Sequence, residues 1–380
     1  MKILYLIKSL ALKAGTERVM SDKMNWLASR GCEIILVTYE QGLHPFAFQL
    51  DDSIKHYDLG TRFFELGHFT PIKKIFLYFY KKRQFENKLR TIVNKEKPDI
   101  FVATTYSGLL LGKVKNLKLT IPKLLESHAI CETHWKSKKY NSGLKVFIGK
   151  LYDRFFLNCI RSFDVLVTLT FADAKEWSQY VSNIKVVPNP ISYVPSSIGN
   201  IVNSHRIICV GRLEKEKGFD LLVEAFSMIA DKCPDWYIDI YGEGGEEAFL
   251  SNIISVKGLD RRIIINKPTD HIFEEYINSG MFVLSSRNEG FGLVLLEAMA
   301  CGLPCISFNC PSGPGEIIED GKNGLLVKNG DIEDLADKML WMIENPEQRV
   351  DMGKMAKQSV GHFDKNTIMQ EWVSIFDSLL

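Results

Sequence analysis

Short apolar runs alternate with segments of helical spacing along most of the 380 residues, the pattern of a parallel sheet wrapped by crossover helices. Ile3 to Leu6 predicts a strand, Thr16 to Ser29 a helix that Gly31 stops, and Ile34 to Thr38 a second strand, which together make one βαβ unit. Further buried strands are predicted at Ile100 to Thr104, Lys123 to Glu126, Val165 to Thr168 and Lys185 to Val187. From Pro188 to His205 the pattern breaks. Pro188, Pro190 and Pro195, with Ser192, Ser196, Ser197 and Gly199, suit neither a helix nor a central strand. The alternation then resumes with strands at Ile207 to Val210, Tyr237 to Tyr241, Ile263 to Ile265, Phe282 to Leu284, Pro304 to Ser307 and Leu325 to Val327. Helices are predicted between them at Phe219 to Ala230, Glu246 to Val256, Ile272 to Ser279 and Leu293 to Ala300, with Ile332 to Ile343 after the last strand. The expected organisation is an α/β chain of two doubly wound domains facing across a cleft. Residues 1–187 form the first domain, 188–205 a linker and 206–362 the second. An amphipathic C-terminal helix within 363–380, carrying Trp372, Ile375, Phe376 and Leu379, is expected to pack back on the first domain.

Ligands of open parallel sheets bind beyond the carboxyl ends of the strands, so chemistry is sought in the strand-to-helix loops. The segment from Ser285 to Pro304 is the most informative. It reads as a strand end, a turn with Gly290 and Gly292, then a helix whose first amides are free to meet an anion such as a diphosphate. Glu289 precedes this helix and Glu297 lies inside it, where a carboxylate among apolar neighbours needs a partner. By physics alone, a helix cap and a salt bridge would account for the two glutamates equally well.

Glu289 and Glu297, within Glu-Gly-Phe-Gly-Leu-Val-Leu-Leu-Glu-Ala-Met-Ala-x-Gly-x-Pro, resemble the two-glutamate signature of family 4 retaining glycosyltransferases, which have the GT-B fold of two Rossmann-like domains. Four further segments resemble the same family in order: Val187 to Ile191, Val210 to Phe219 with Arg212 and Lys217, Tyr241 to Gly244, and Gly315 to Val327. The resemblance implies an enzyme that transfers a sugar from a nucleotide-sugar donor, for which a UDP-sugar is the expectation. It implies that Glu297 accepts hydrogen bonds from the ribose hydroxyls, a natural task for a carboxylate, and that Glu289 orients the donor sugar. Backbone amides from Gly290 through Phe291, Gly292 and Leu293 to Val294 complete the sugar and phosphate contacts. Arg212 and Lys217 hold the diphosphate and neutralise the charge that develops on it as it leaves. Gly242, Glu243 and Lys267 lie in neighbouring donor loops. Retention is expected to proceed by front-face attack, with no carboxylate nucleophile.

In the first half the resemblance is thinner. Lys13-Ala14-Gly15-Thr16-Glu17 is similar to the family's Gly-Gly-x-Glu loop, with Ala14 in place of the first glycine; Gly15 still permits a close backbone approach to the donor phosphate. His128, after the strand ending at Glu126, matches a histidine that the family sets near the donor sugar. A lone histidine at a strand end is otherwise more often structural. Lys267-Pro268-Thr269 and Cys310-Pro311-Ser312-Gly313-Pro314 resemble a branch that acts in bacterial surface polysaccharide assembly, so the donor sugar is expected to be a hexose or N-acetylhexosamine. The expected acceptor is a glycan linked to undecaprenyl diphosphate. Other readings are a cytosolic enzyme making a soluble glycoside and a non-catalytic binding protein of the same fold.

Net charge is +1, yet residues 1–190 hold 30 basic and 17 acidic side chains and residues 191–380 hold 17 and 29. The basic excess gathers in two stretches. From Lys73 to Lys97 nine basic residues accompany Ile72, Ile75, Phe76 and Phe79 at helical spacing. From Lys136 to Arg161 basic residues interleave with Tyr140, Phe147, Phe155 and Phe156, just after Trp135. Both are candidate surfaces for an anionic membrane, and solvated faces of ordinary helices are the simpler alternative. No nucleic-acid partner is expected. The eight cysteines show no metal-ligand spacing, which predicts reduced core thiols. No Asp-x-Asp pair occurs, which predicts metal independence and no cofactor beyond the donor. Lys8 interrupts the first apolar run, so no signal peptide is expected, and the protein is expected in the cytoplasm, peripheral on the inner membrane face.

Overall fold

The computed structural model describes all residues except 136, 140–142, 197–200 and 202, and leaves out the side chain of residue 139. Lys136 and Tyr140 of the second basic stretch, and Ser197 and Gly199 of the Pro-rich segment, therefore lie outside the described residues. The chain divides into two compact units, one of Met1–Pro188 with Ile368–Leu380 and one of Asn189–Thr367.

The first unit is built on β1 (Lys2–Ile7), β2 (Glu33–Thr38), β3 (Lys55–Asp58), β4 (Ile100–Thr104), β5 (Lys123–Glu126), β6 (Val165–Thr168) and β7 (Ile184–Val186). Among the described residues these form a seven-stranded sheet in the order β3-β2-β1-β4-β5-β6-β7, with every pairing parallel. Both faces are covered. Leu4, Leu6, Phe101, Ala103 and Leu125 enter one apolar cluster; Ile3, Tyr5, Val102, Leu124 and Val167 enter the other. The period-2 alternation of a strand thus sends apolar side chains to both sides. β3 has no apolar run and was absent from the sequence-based expectation. It is an edge strand with mostly exposed side chains, joined to the sheet by backbone pairing with β2.

The second unit contains β8 (Arg206–Val210), β9 (Tyr237–Tyr241), β10 (Ile263–Asn266), β11 (Met281–Leu284), β12 (Cys305–Asn309) and β13 (Gly324–Lys328). Their order is β10-β9-β8-β11-β12-β13, again parallel throughout. The chain winds from β8 outward to β10, then returns to β11 and winds the other way. The strand order therefore reverses between β8 and β11, which fixes the crevice beyond their carboxyl ends as the place for a ligand. The helix Pro346–Ser359 also escaped the sequence reading, because Asn345-Pro346 looks like a break; here the proline occupies the first turn, where its missing N–H is no loss. The helix Lys365–Asp377 sends Ile368, Met369, Trp372, Ile375 and Phe376 into the first unit's Ile3/Tyr5 cluster. All eight cysteines are free thiols, seven of them buried. Among the described residues no helix is long and apolar enough to cross a membrane.

Candidate active site

Five loops follow the carboxyl ends of β8, β9, β10, β11 and β12, and four of them carry the donor-site residues expected in this unit. Two loops flanking the reversal are zipped together. The Arg287 N–H donates to the Glu216 carbonyl at 2.8 Å, and the Ser285 hydroxyl donates to the Lys217 carbonyl at 3.1 Å. The Arg287 guanidinium makes a two-pronged pair with Asp220, both contacts at 2.7 Å, and also donates to the Lys215 carbonyl at 2.8 Å. Asn329 donates to the Arg287 carbonyl at 3.2 Å. Such a planar fork fixes orientation as well as distance. Burial pushes the Asp220 carboxyl up, but the Arg287 contacts outweigh it and the group titrates below the usual aspartate value.

This zipper holds Lys217 and Glu289 together. Lys217 Nζ lies 2.6 Å from Glu289 Oε1, and the Ser286 hydroxyl donates to the same oxygen at 2.7 Å. The two side chains are 18% and 9% exposed, so the pair is shielded yet reachable. Gly218 permits the approach of the two loops. Its φ is +63°, and a Cβ there would fall 2.0 Å from the Ser285 carbonyl oxygen. Gly242, after β9, is equally constrained from the other side, since its Cβ would lie 1.9 Å from the Gly211 carbonyl oxygen.

Arg212 is exposed, and its guanidinium has no partner among the described residues. Glu243 is exposed too, and its carbonyl accepts from the Leu213 N–H at 2.8 Å. Lys267, after β10, instead makes an exposed ion pair with Glu247 at 3.0 Å, so its charge is already shared. Gly290 and Phe291 lead to Gly292, which caps the helix Leu293–Ala300 with φ +99° and no side-chain cap on its first amides. Leu293 and Val294 begin that helix. Glu297 lies one turn further on, and among its contacts it accepts from the Tyr276 hydroxyl at 3.4 Å. The structure brings Lys217 and Glu289 into contact and sets the other candidates of this unit on the same end of the same sheet. Asp220, Ser286 and Asn329 were missed, because their roles depend on pairings across 3 to 67 residues that no local motif signals.

In the first unit, Gly15 is the first residue of the helix Gly15–Ser29, with Ala14 as its extended cap. His128 follows β5 and is 8% exposed. Its Nε2 lies 3.0 Å from Glu126 Oε2, while Tyr106 donates to its carbonyl at 3.3 Å. No group of three or more His, Cys, Asp or Glu residues is arranged to hold a metal ion among the described residues.

The basic stretches divide in an unexpected way. In the helix Pro71–Glu96, Lys81 reaches Glu65 and the Thr61 and Arg62 carbonyls, Lys88 the Leu59 carbonyl and Arg90 Glu86. These charges serve the unit's own structure. Its first turns differ, with Ile72, Ile75, Phe76 and Phe79 at 84, 60, 73 and 65% exposure. The helix Gly143–Ile160 likewise exposes Leu144, Phe147, Ile148, Leu151 and Phe155. Trp135 and Phe156, expected on the surface, are core residues at 5 and 1% exposure, stacked among Trp177, Tyr152 and Tyr180.

Two parallel Rossmann-like sheets, the second carrying its charged loops at the strand-order reversal, define a glycosyltransferase of the GT-B fold. Residues 14–193 match the profile described as Glycosyltransferase Family 4, and residues 196–359 match that of Glycosyl transferases group 1. The chain belongs to glycosyltransferase family 4. It is 28% identical to an uncharacterized glycosyltransferase of Haemophilus influenzae, over 98% of this chain and 99% of that one. It is 25% identical to the amylovoran biosynthesis glycosyltransferase AmsD of Erwinia amylovora, over 99% of both. Among solved structures it resembles Anabaena HepE in complex with UDP-glucose, with a TM-score of 0.76 at 19% identity over the whole of each chain.

Proposed function

We propose that this glycosyltransferase moves a hexose or N-acetylhexosamine, with retention, from a UDP-sugar to a lipid-linked glycan during surface polysaccharide assembly. The observation that carries the donor half of this reading is the Lys217–Glu289 pair at the strand-order reversal, together with Arg212 on the loop after β8, whose guanidinium has no partner among the described residues. In the proposed mechanism Arg212 and Lys217 bind the donor diphosphate, together with the uncapped amides at the start of the helix Leu293–Ala300. As the glycosidic bond breaks, negative charge grows on the leaving UDP, and two fixed cations stabilise it more than they stabilise the ground state. Lys217 transfers its attention from Glu289 to the phosphate, which frees the Glu289 carboxylate to accept hydrogen bonds from the sugar hydroxyls. Glu297 accepts from the ribose diol, and His128 contacts the sugar. Positive charge for the leaving group comes from side chains in this scheme, so the reaction is expected to proceed in chelator. UDP-glucose is what the similar HepE structure holds, and amylovoran is the product class named for the relative AmsD.

The acceptor half rests on the apolar residues exposed on the helices Pro71–Glu96 and Gly143–Ile160, flanked by Lys73, Lys74, Lys145, Lys150 and Arg154. An anionic leaflet attracts each nearby basic residue by ~1 kcal/mol, and burying a phenylalanine adds about 1.5–3 kcal/mol. A few engaged residues suffice for reversible docking at the cytoplasmic membrane face. This surface favours a lipid-linked acceptor over a soluble one.

Thermal-shift screening against nucleotide sugars tests the donor, because a ligand at 100 times its Kd stabilises the folded state by about 2.7 kcal/mol. Glu289→Ala and Arg212→Ala are expected to fold and to lose transfer; a wild-type rate in either would sink the site assignment. Sedimentation with anionic vesicles tests the surface, and binding that is absent or indifferent to salt would refute it.

A further inference from the structure

The first unit buries a cluster of three titratable side chains that the mechanism above uses only in part. Lys23 on the helix Gly15–Ser29, Glu126 at the end of β5 and His128 two residues on are 2, 1 and 8% exposed. Lys23 Nζ lies 2.5 Å from Glu126 Oε2, and His128 Nε2 lies 3.0 Å from the same oxygen. The Trp372 ring, from the C-terminal helix, covers the ammonium with its centroid 3.7 Å away, and the Tyr5 ring stands at 5.7 Å. Backbone contacts pin the segment on either side: Ser127 N–H to the Val167 carbonyl at 2.8 Å, and the Ser127 hydroxyl to the Ala129 carbonyl at 2.8 Å. Among the described residues, Glu126 Oε1 and His128 Nδ1 have no hydrogen-bond partner.

Burial alone would hold the Glu126 carboxyl neutral. The Lys23 ammonium and the His128 ring more than offset it, and the group titrates below the usual glutamate value. An ionised carboxylate only accepts, so the ring nitrogen facing it must carry the hydrogen. In a neutral ring the other nitrogen then offers a lone pair. A charge-balanced Lys–Glu pair needs no histidine, and a buried imidazole nitrogen left without a partner costs stability. That cost is accounted for when a bound molecule supplies the missing donor.

We propose that Glu126, paired with Lys23, is a positioning residue that locks His128 as its Nε2–H tautomer and leaves Nδ1 to accept a hydrogen bond from a hydroxyl of the donor sugar. The inference rests on the assignment of His128 to that sugar. It extends the donor machinery to a lysine and a glutamate that never touch substrate.

Long-range proton–nitrogen correlation spectra of the full-length, histidine-labelled protein at neutral pH read the tautomer directly, with His128 assigned through the signals lost in His128→Asn. The Nε2–H pattern is expected; an Nδ1–H pattern or a doubly protonated ring overturns the proposal. The double variant Lys23→Met/Glu126→Gln removes both buried charges together. It is expected to mix the tautomers and to lower kcat roughly 10- to 100-fold, by analogy with the loss when the partner orienting a metal-bound histidine is removed, with a smaller change in donor KM. A folded double variant with the wild-type tautomer and kcat also overturns it. If that variant does not fold, the wild-type spectrum alone decides. A wild-type transfer rate in His128→Ala refutes the sugar contact while leaving the tautomer pattern intact, which separates failure of the underlying assignment from failure of the lock.

Discussion

Replacing Gly218 by alanine should test the geometry of the paired loops after β8 and β11 more sharply than removing any charge. Gly218 has φ +63°, and the added methyl would meet the Ser285 carbonyl oxygen at 2.0 Å, more than an ångström inside ordinary contact. Gly258, just after the helix Glu247–Val256 in the same unit, has φ +68°, and a methyl added there would find nothing within 4 Å. Both substitutions incur the left-handed backbone penalty, roughly 1–2 kcal/mol. Only Gly218→Ala adds a backbone collision, comparable to overpacking at about 1–3 kcal/mol. The expected losses are therefore about 2–5 kcal/mol for Gly218→Ala and about 1–2 kcal/mol for Gly258→Ala. Urea titrations read by circular dichroism, run side by side, measure the difference. Because Ser285 and Arg287 tie the Glu289 loop to the Lys217 turn, Gly218→Ala should also depress kcat/KM, whereas Gly258→Ala should leave it near wild type. Equal destabilisation by the two variants, or an unchanged rate in a folded Gly218→Ala, would refute the claimed close approach of the loops.

Arg206 is 7% exposed and binds Asp239, Glu275 and the Tyr241 hydroxyl. Arg206→Met strands two carboxylates and should cost about 3 kcal/mol or more, measured by thermal unfolding, with Asp239→Leu in the same chain recovering part of it. Asp220 titrates below its usual range, so its ionised form stabilises the fold fully above the unfolded pKa, and that contribution is lost as pH falls through the lower folded pKa. The melting deficit of Asp220→Asn should accordingly be present at neutral pH and shrink in acid. Ile72→Ser and Phe76→Ser alter side chains that are 84 and 73% exposed. They should change stability by less than about 0.5 kcal/mol while reducing capture on anionic vesicles.

The parallel sheets were legible because a strand buried on both faces is an uninterrupted apolar run, as in β1, β4 and β6, and because glycines and prolines punctuate it. β3 was not, since an edge strand of Lys55, His56, Tyr57 and Asp58 is held by backbone pairing and carries no apolar signature. The helix Pro346–Ser359 was hidden by a proline whose meaning depends on which end of a helix it occupies. At the site, the candidate glutamates, Arg212 and Lys217 stand in contiguous segments and could be named from sequence. The Asp220–Arg287 fork could not, because 67 residues separate its partners. Basic composition was a poorer guide. Lys81 and Lys88 spend their charge on internal carbonyls, while Trp135 and Phe156 turn inward; composition cannot tell a solvated face from one folded back on its own unit.

The passage of the C-terminal helix into the first unit has a consequence for how the protein is made. On a ribosome, residues 1–188 emerge early, but the core face lined by Ile3, Tyr5 and Val102 lacks Ile368, Met369, Trp372 and Phe376 until the whole second unit has been synthesised. Lys23 must wait as long for the indole that closes over its ammonium. The second unit, continuous from Asn189 to Thr367, can complete its core first. Although it is synthesised second, it should reach its native state ahead of the N-terminal unit, whose unfinished apolar face is then the natural target for a chaperone during translation.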